Sequence, residues 1–261
     1  KQKLFYWAVN IGLQYEPYQQ NGFWYEFKLN VARKLILSKW KEALGGNLEI
    51  IVSGSAALQV RLAKIFTAAE MTLVEGYGLT ETSPIISVGD MRNKNLKMGT
   101  VGKIIEGVEV KIADDGEILC KGPNVMLGYY KQPELTKEVI SGDFFHTGDI
   151  GEIDGDGFLK ITDRKKEMFK TSGGKYIAPQ VVENQMKQSL FIEQIMVVGE
   201  GQKMASAVIQ PNFQYLEAWQ KEEGIDSNTS MLELIKNEKL LAAIDKEIEE
   251  HNQRFAKWEQ I

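Results

Sequence analysis

Two short apolar runs, Leu48–Val52 and Met71–Val74, enclose a helical pattern, and this spacing constrains the fold more than any other feature. A nearly continuous apolar run is the pattern of a parallel strand buried on both faces. The intervening helix is expected over about Leu58–Ala69 with Leu62, Ile65 and Phe66 inward, which makes the segment a βαβ unit. Both strands lead into loops of small residues, Ser53-Gly54-Ser55-Ala56 and Glu75-Gly76-Tyr77-Gly78. Ligands of open α/β sheets bind beyond the carboxyl ends of the strands. Both loops should therefore border one pocket.

Upstream, Leu4, Trp7, Ala8, Ile11 and Tyr15 recur at helical spacing, as do Phe27, Val31, Leu35 and Leu44, and Gly45-Gly46 stops the second helix. From Gly99 to about Ile161 the period becomes two. Val108, Val110 and Ile112 alternate with charged residues, Asp115-Gly116 turns the chain, and Ile118 and Cys120 continue one face. A second hairpin turns at Asp154-Gly155-Asp156-Gly157. After the basic cluster Arg164-Lys165-Lys166 the pattern mixes again: a helix opened by Pro179, strands at 195–198 and 205–209, then helices rich in Glu and Lys. The fold class is α/β: the end of a parallel α/β sheet domain and a small antiparallel, barrel-like β subdomain, followed by a smaller α+β domain. The βαβ portion spans about 1–98, the β subdomain about 99–163 and the small domain 164–261, with the boundary near 163–168.

Charge and composition narrow the function. With 31 basic and 36 acidic residues the net charge is −5, which argues against binding nucleic-acid backbones. No apolar run approaches the ~18 residues of a membrane span. The single cysteine, Cys120, forms no internal disulfide and fits a reducing compartment such as the cytoplasm. The chain starts with Lys1, without a signal peptide, and reads as a piece of something longer.

The loop Glu75-Gly76-Tyr77-Gly78-Leu79-Thr80-Glu81-Thr82 carries the strongest local signal. Its glycines let backbone approach a ligand. Thr80 offers a hydroxyl to a phosphate, and Glu81 a hard oxygen to Mg²⁺, which takes one or two carboxylates plus phosphate oxygens. Taken alone, it reads sooner as a glycine turn with a solvated acid.

Tyr77-Gly78-Leu79-Thr80-Glu81 resembles the Y-G-x-T-E motif of the adenylate-forming enzymes: acyl-CoA synthetases, peptide-synthetase adenylation domains and luciferases. Ser53-Gly54-Ser55-Ala56-Ala57-Leu58 is similar to their S-G-G-A-P-L adenine loop, departing at Ser55 and Ala57. Phe145-His146-Thr147-Gly148-Asp149 is similar to their aromatic-x-T-G-D motif, and the run from Asp163 to Pro179 to their hinge and glycine loop. The Asp-Arg-Lys-Lys start and Tyr-Ile-Ala-Pro end of that run look most like the long-chain fatty acyl-CoA synthetase branch.

The resemblance implies that residues 1–163 are the C-terminal part of the large AMP-binding domain and 164–261 a truncated small domain. It implies ATP, Mg²⁺ and CoA as co-substrates and a fatty acid as the acid. Gly54, Ser55, Ala56, Gly76, Tyr77 and Gly78 would border the nucleotide, the Tyr77 ring stacking on adenine. Thr80 would contact the α-phosphate, Glu81 the metal, Asp149 the ribose hydroxyls, and Arg164 the ribose or phosphate. Lys166 would be the hinge, and Lys170, Ser172, Gly173 and Gly174 would lie where CoA approaches. Thr80, Glu81 and Lys166 are thus the catalytic candidates. Without the family, Asp149 is a turn aspartate and the basic cluster a solvated face.

Three other patterns fail. Glu152 to Asp163 mimics an EF-hand loop but has Glu first, Asp last and strand-like flanks, so the Asp-Gly hairpin reading wins. Gly174-Lys175 lacks the first glycine and the following Ser/Thr of a phosphate loop, for Phe169 and Tyr176 stand there. His146 and His251 have no ligand spacing.

Residues 1–52 contain nothing like the family's Ser/Thr/Gly-rich phosphate loop, and no segment near the C-terminus carries its second catalytic lysine. The expectation is part of a long-chain fatty acid–CoA ligase, not competent on its own. An adenylation domain for an amino or aryl acid and a non-catalytic nucleotide-binding module are the alternatives. Peripheral membrane contact of the intact protein and its oligomeric state stay open.

Overall fold

The structure is a computed structural model that describes residues 2–226 and 228–261. The chain divides into two compact units, Lys1–Ile161 and Thr162–Ile261.

The first unit opens with helix α1 (Gln2–Leu13), followed by α2 (Phe23–Ala32), a π-helical turn (Arg33–Leu37) and α3 (Ser38–Ala43) in one continuous rod. Gly45 and Gly46 end it with φ of 92° and 78°, conformations that cost glycine little. Strand β1 (Ile50–Ser53), helix α4 (Val60–Ala68) and strand β2 (Thr72–Tyr77) form the expected βαβ unit, Ile51 pairing with Leu73 in parallel. Strands β3 (Ser87–Val88) and β4 (Lys103–Ile104) add antiparallel, giving a mixed sheet of order β1-β2-β3-β4.

Two inward assignments are corrected. β1 is not buried on both faces: Ile50 and Val52 are 55% and 67% exposed. Side chains alternate across a strand, and the helical core covers only the face of β1 that carries Ile51. Leu62 points outward on α4, which buries Ala63, Ile65, Thr67 and Ala68 instead. Phe27, Leu35 and Leu44 lie on the exposed side of their rod, and Tyr25, Leu29, Ala32 and Leu37 on the buried one. Charged residues such as Glu26, Lys28, Arg33, Lys34 and Lys39 are scattered among the apolar ones along that rod, so spacing alone does not choose its inner face. The π-helical turn also shifts the register part-way along it.

The antiparallel part is a curled half-barrel sheet. β5 (Glu109–Ile112), β6 (Glu117–Lys121), β8 (Phe144–Ile153) and β7 (Ile140–Ser141) lie in the order β5-β6-β8-β7, and β9 (Leu159–Arg164) pairs with β8. Helix α5 (Pro133–Val139) precedes β7. Ile118, Cys120, Phe145 and Leu159 fill the core, with the Tyr77 ring packed against it. The hairpin at Asp154–Gly157 joins β8 and β9. Asp154 Oδ1 accepts the backbone N–H groups of Asp156 and Phe158 there, and Lys97 bridges Asp154 and Asp156.

The second unit carries two hairpins, β10 (Phe169–Lys170) with β11 (Tyr176–Ile177) and β12 (Ile192–Val198) with β13 (Ser206–Pro211). Helix α6 (Pro179–Met186) follows the first, and α7 (Phe213–Glu222), α8 (Met231–Leu234) and α9 (Glu238–Asn252) follow the second. Asn212 and Asn237 cap α7 and α9 by accepting first-turn N–H groups. Val182, Met186, Ile195, Val197, Leu216 and Leu240 are buried together.

Candidate functional site

The parallel register sets Ser53 beside Glu75, so the loop beyond β1 lies next to the end of β2, which runs on as strand through Tyr77 instead of turning into a loop after Val74. A Cβ added to Gly54 would stand 3.6 Å from the Gly76 carbonyl oxygen. Glu75 Oε1 accepts the Leu58 N–H at 2.9 Å and ties the first loop to the second strand. Burial pushes the Glu75 carboxyl up to about 7, against the pull of that N–H. Gly54, Ser55 and Ala56 are exposed, and Ser55 holds a left-handed backbone with φ 69°.

Tyr77 ends β2, and its hydroxyl donates to Asp149 Oδ2 at 2.7 Å. Burial, then the Asp149 carboxylate, push the Tyr77 phenol well above its usual value. Asp149 is reached through a bulge rather than a turn between strands. Glu117 pairs with Ile150 and Leu119 with His146, so Thr147-Gly148-Asp149 on β8 stand opposite Ile118 alone. Thr147 Oγ donates to the Ile118 carbonyl oxygen at 2.8 Å and accepts the Asp149 N–H at 3.1 Å. The Gly148 N–H reaches Glu117 Oε1 at 3.0 Å.

Gly78 is required by a close approach: a Cβ there would lie 1.7 Å from the Pro84 carbonyl oxygen. The following 3₁₀ turn, Thr80–Thr82, buries Thr82, whose hydroxyl accepts the Leu79 N–H, and leaves Thr80 exposed. Glu81 is partly buried. Its Oε1 accepts the Tyr129 hydroxyl at 2.9 Å, and its carbonyl oxygen accepts the Met126 N–H at 2.8 Å. Burial and then Glu81 raise the Tyr129 phenol. Among the described residues no group of three or more His, Cys, Asp or Glu could hold a metal alone. One loop carboxylate beside an exposed hydroxyl does fit Mg²⁺ that arrives with phosphate oxygens.

The first unit thus gathers Gly54, Ser55, Ala56, Gly76 and Gly78 around the ends of two strands, with Asp149 joined to Tyr77 and with Thr80 and Glu81 on the next turn. Arg164, Lys166, Lys170, Ser172, Gly173 and Gly174 belong to the second unit. Lys166 is exposed in a turn where the Arg164 carbonyl oxygen accepts the Glu167 and Met168 N–H groups. Asp163 is fully buried and accepts the Arg164 and Gln180 N–H groups, tying the turn to the start of α6. Burial pushes its carboxyl up to about 6. Ser172, Gly173 and Gly174 form the exposed tip of the β10–β11 hairpin, closed by Thr171 and Lys175, and the Lys170 ammonium lies 4.5 Å from the Tyr176 ring centroid.

Sequence reasoning missed Glu117 and Tyr129. Glu117 falls on the alternation's polar face, and Tyr129 lies in an irregular segment; neither carries a periodic signal.

Residues 19–130 match the family described as AMP-binding enzyme. Over that stretch the chain is similar to AMP-binding enzymes. Among AMP-binding relatives, a long-chain-fatty-acid–CoA ligase of Mycobacterium bovis is 39% identical over 219 residues, covering 84% of this chain and 36% of the relative. The chain therefore spans little more than a third of that relative's length. The anthranilate CoA ligase structure with anthranoyl-AMP superposes with TM-score 0.65 at 22% identity, over 88% of this chain and 43% of that one. The o-succinylbenzoate coenzyme A synthetase of Bacillus subtilis in complex with AMP gives 0.58 at 25% identity, over 73% and 43%.

Proposed function

We propose that this chain is part of an AMP-forming acid–CoA ligase acting on long-chain fatty acids. The fatty carboxylate attacks the α-phosphorus of ATP, and pyrophosphate leaves. The CoA thiolate then attacks the acyl carbon of the adenylate, and AMP leaves. The observation that carries the reading is the Tyr77–Asp149 hydrogen bond, which joins the Y-G-x-T-E loop to the T-G-D bulge across 72 residues. A carboxylate so held suits the ribose hydroxyls, with the Tyr77 ring and Gly54-Ser55-Ala56 beside adenine.

Thr80 contacts the α-phosphate, while Glu81, oriented by Tyr129, helps hold Mg²⁺, whose charge offsets that of the phosphates. The protein's work in this step is positioning and charge neutralisation. Arg164 reaches the ribose or phosphate, Lys166 is the pivot between half-reactions, and Lys170, Ser172, Gly173 and Gly174 meet CoA. The long-chain choice is supported by the 39% identity to the ligase of that name. The chain alone lacks the family's phosphate loop and is proposed to bind nucleotide without turnover. The test is pyrophosphate release from ATP with palmitate and Mg²⁺ in the full-length protein, followed by palmitoyl-CoA on adding CoA. Release with an amino or aryl acid and none with palmitate would overturn the substrate assignment.

A further inference from the structure

The bulge that carries Asp149 stands on an unusual support. Glu117 is 5% exposed, yet it is an acid at the first position of β6. A buried carboxylate is costly unless hydrogen bonds compensate it. Two contacts of Glu117 go to the bulge: Oε1 accepts the Gly148 N–H at 3.0 Å, and Oε2 lies 3.1 Å from His146 Nδ1. His146 is the last β8 residue in register before the bulge, and Ile150, opposite Glu117, is the first after it. Gly148, at φ 75°, turns the Asp149 side chain toward Tyr77. One side chain thus holds the N–H at the apex of the bulge and the ring at its entrance.

We infer that Glu117 is a positioning residue: through Gly148 and His146 it sets the bulge so that Asp149 is presented to the ribose. This rests on the ribose role proposed for Asp149. A neutral or shorter side chain at 117 leaves the sheet paired but lets the bulge relax, so the ribose contact suffers before the fold does. Charge-assisted hydrogen bonds are about twice as strong as neutral ones, so the amide is a real loss.

The test is a double-mutant cycle in the full-length protein, reading affinity for AMP and for 2′,3′-dideoxy-AMP by calorimetry. Asp149→Ala should abolish the preference for AMP. Glu117→Gln should weaken AMP about tenfold, the weight of one hydrogen bond to a charged group, and weaken the dideoxy nucleotide little. In the Asp149→Ala background Glu117→Gln should add nothing, because coupled residues are not additive. Should Glu117→Gln not fold, Glu117→Asp, which keeps the charge but loses the reach to Gly148, serves the same cycle. Equal weakening of both nucleotides, or additive effects, would mean a merely structural acid and overturn the inference alone. If Asp149→Ala leaves the preference intact, the ribose role falls, and the inference with it.

Discussion

Tyr77 and Asp149 meet through a 2.7 Å hydrogen bond that joins the end of a parallel strand to a bulge in the antiparallel sheet. Tyr77→Phe keeps the ring against its core and removes the donor. One hydrogen bond contributes about 0.5–1.5 kcal/mol, so AMP affinity should fall about two- to tenfold as Asp149 loses its orientation. Calorimetry on the folded variant checks this, and unchanged affinity would detach the pair from the nucleotide.

Glu81→Gln in the full-length protein should slow acyl-adenylate formation by about 10²–10³, the usual weight of one well-placed electrostatic contact. The Mg²⁺ titration should shift to higher concentration while the melting temperature holds. Tyr129→Phe should give a smaller change in the same direction. Identical Mg²⁺ curves for wild type and Glu81→Gln would remove Glu81 from the metal.

Ser55 stands where the resembling loops have glycine, in a left-handed conformation. That backbone costs a side-chain-bearing residue about 1–2 kcal/mol, while glycine loosens the unfolded chain by about 0.4–1 kcal/mol. The first effect wins, so Ser55→Gly should stabilise the protein by roughly 0.5–1 kcal/mol. Denaturant midpoints measure it; a loss of stability would contradict the strain.

Glu75 makes stability depend on pH. Its carboxyl titrates at about 7 in the fold against an ordinary 4.5, so between those values the folded state holds a proton that the unfolded state releases. Stability from this group is fully present below about pH 4.5 and is lost as pH rises through about 7. Glu75→Gln should flatten the melting-temperature profile over that window and raise its upper end. A parallel profile in the variant would show that Glu75 does not titrate there.

Lys166→Pro should separate the half-reactions in the full-length protein. Proline fixes φ near −65° but leaves the Glu167 and Met168 N–H bonds to Arg164 in place. Acyl-adenylate formation should be near normal and thioester formation greatly reduced, because hinge changes act on rate away from the chemistry. Equal loss of both steps in a folded variant, or of neither, would return Lys166 to being a solvated lysine.

The sequence by itself determined the elements whose signal is local. The 48–74 run contains a βαβ unit because its hydrophobic spacing and small-residue loops are properties of neighbouring residues. Asp154-Gly155-Asp156-Gly157 turns a hairpin for the same reason, and the order of the motifs pointed to the family. Tertiary structure decided what depends on a partner distant in the chain. Ile50 and Val52 are apolar in either case, and they are exposed because the helical core covers the opposite face of β1, the one that carries Ile51. Helix α2 and its continuation scatter charged residues among apolar ones instead of sorting them to one side, so the neighbouring core chose Leu29 and Leu37 over Phe27 and Leu35. Glu117 reads as a polar-face acid until the register opposite it slips and the bulge closes over its carboxylate. Periodicity reports which residues share a side; which side is covered, and by whose hydrogen bonds, is settled only when distant strands pair.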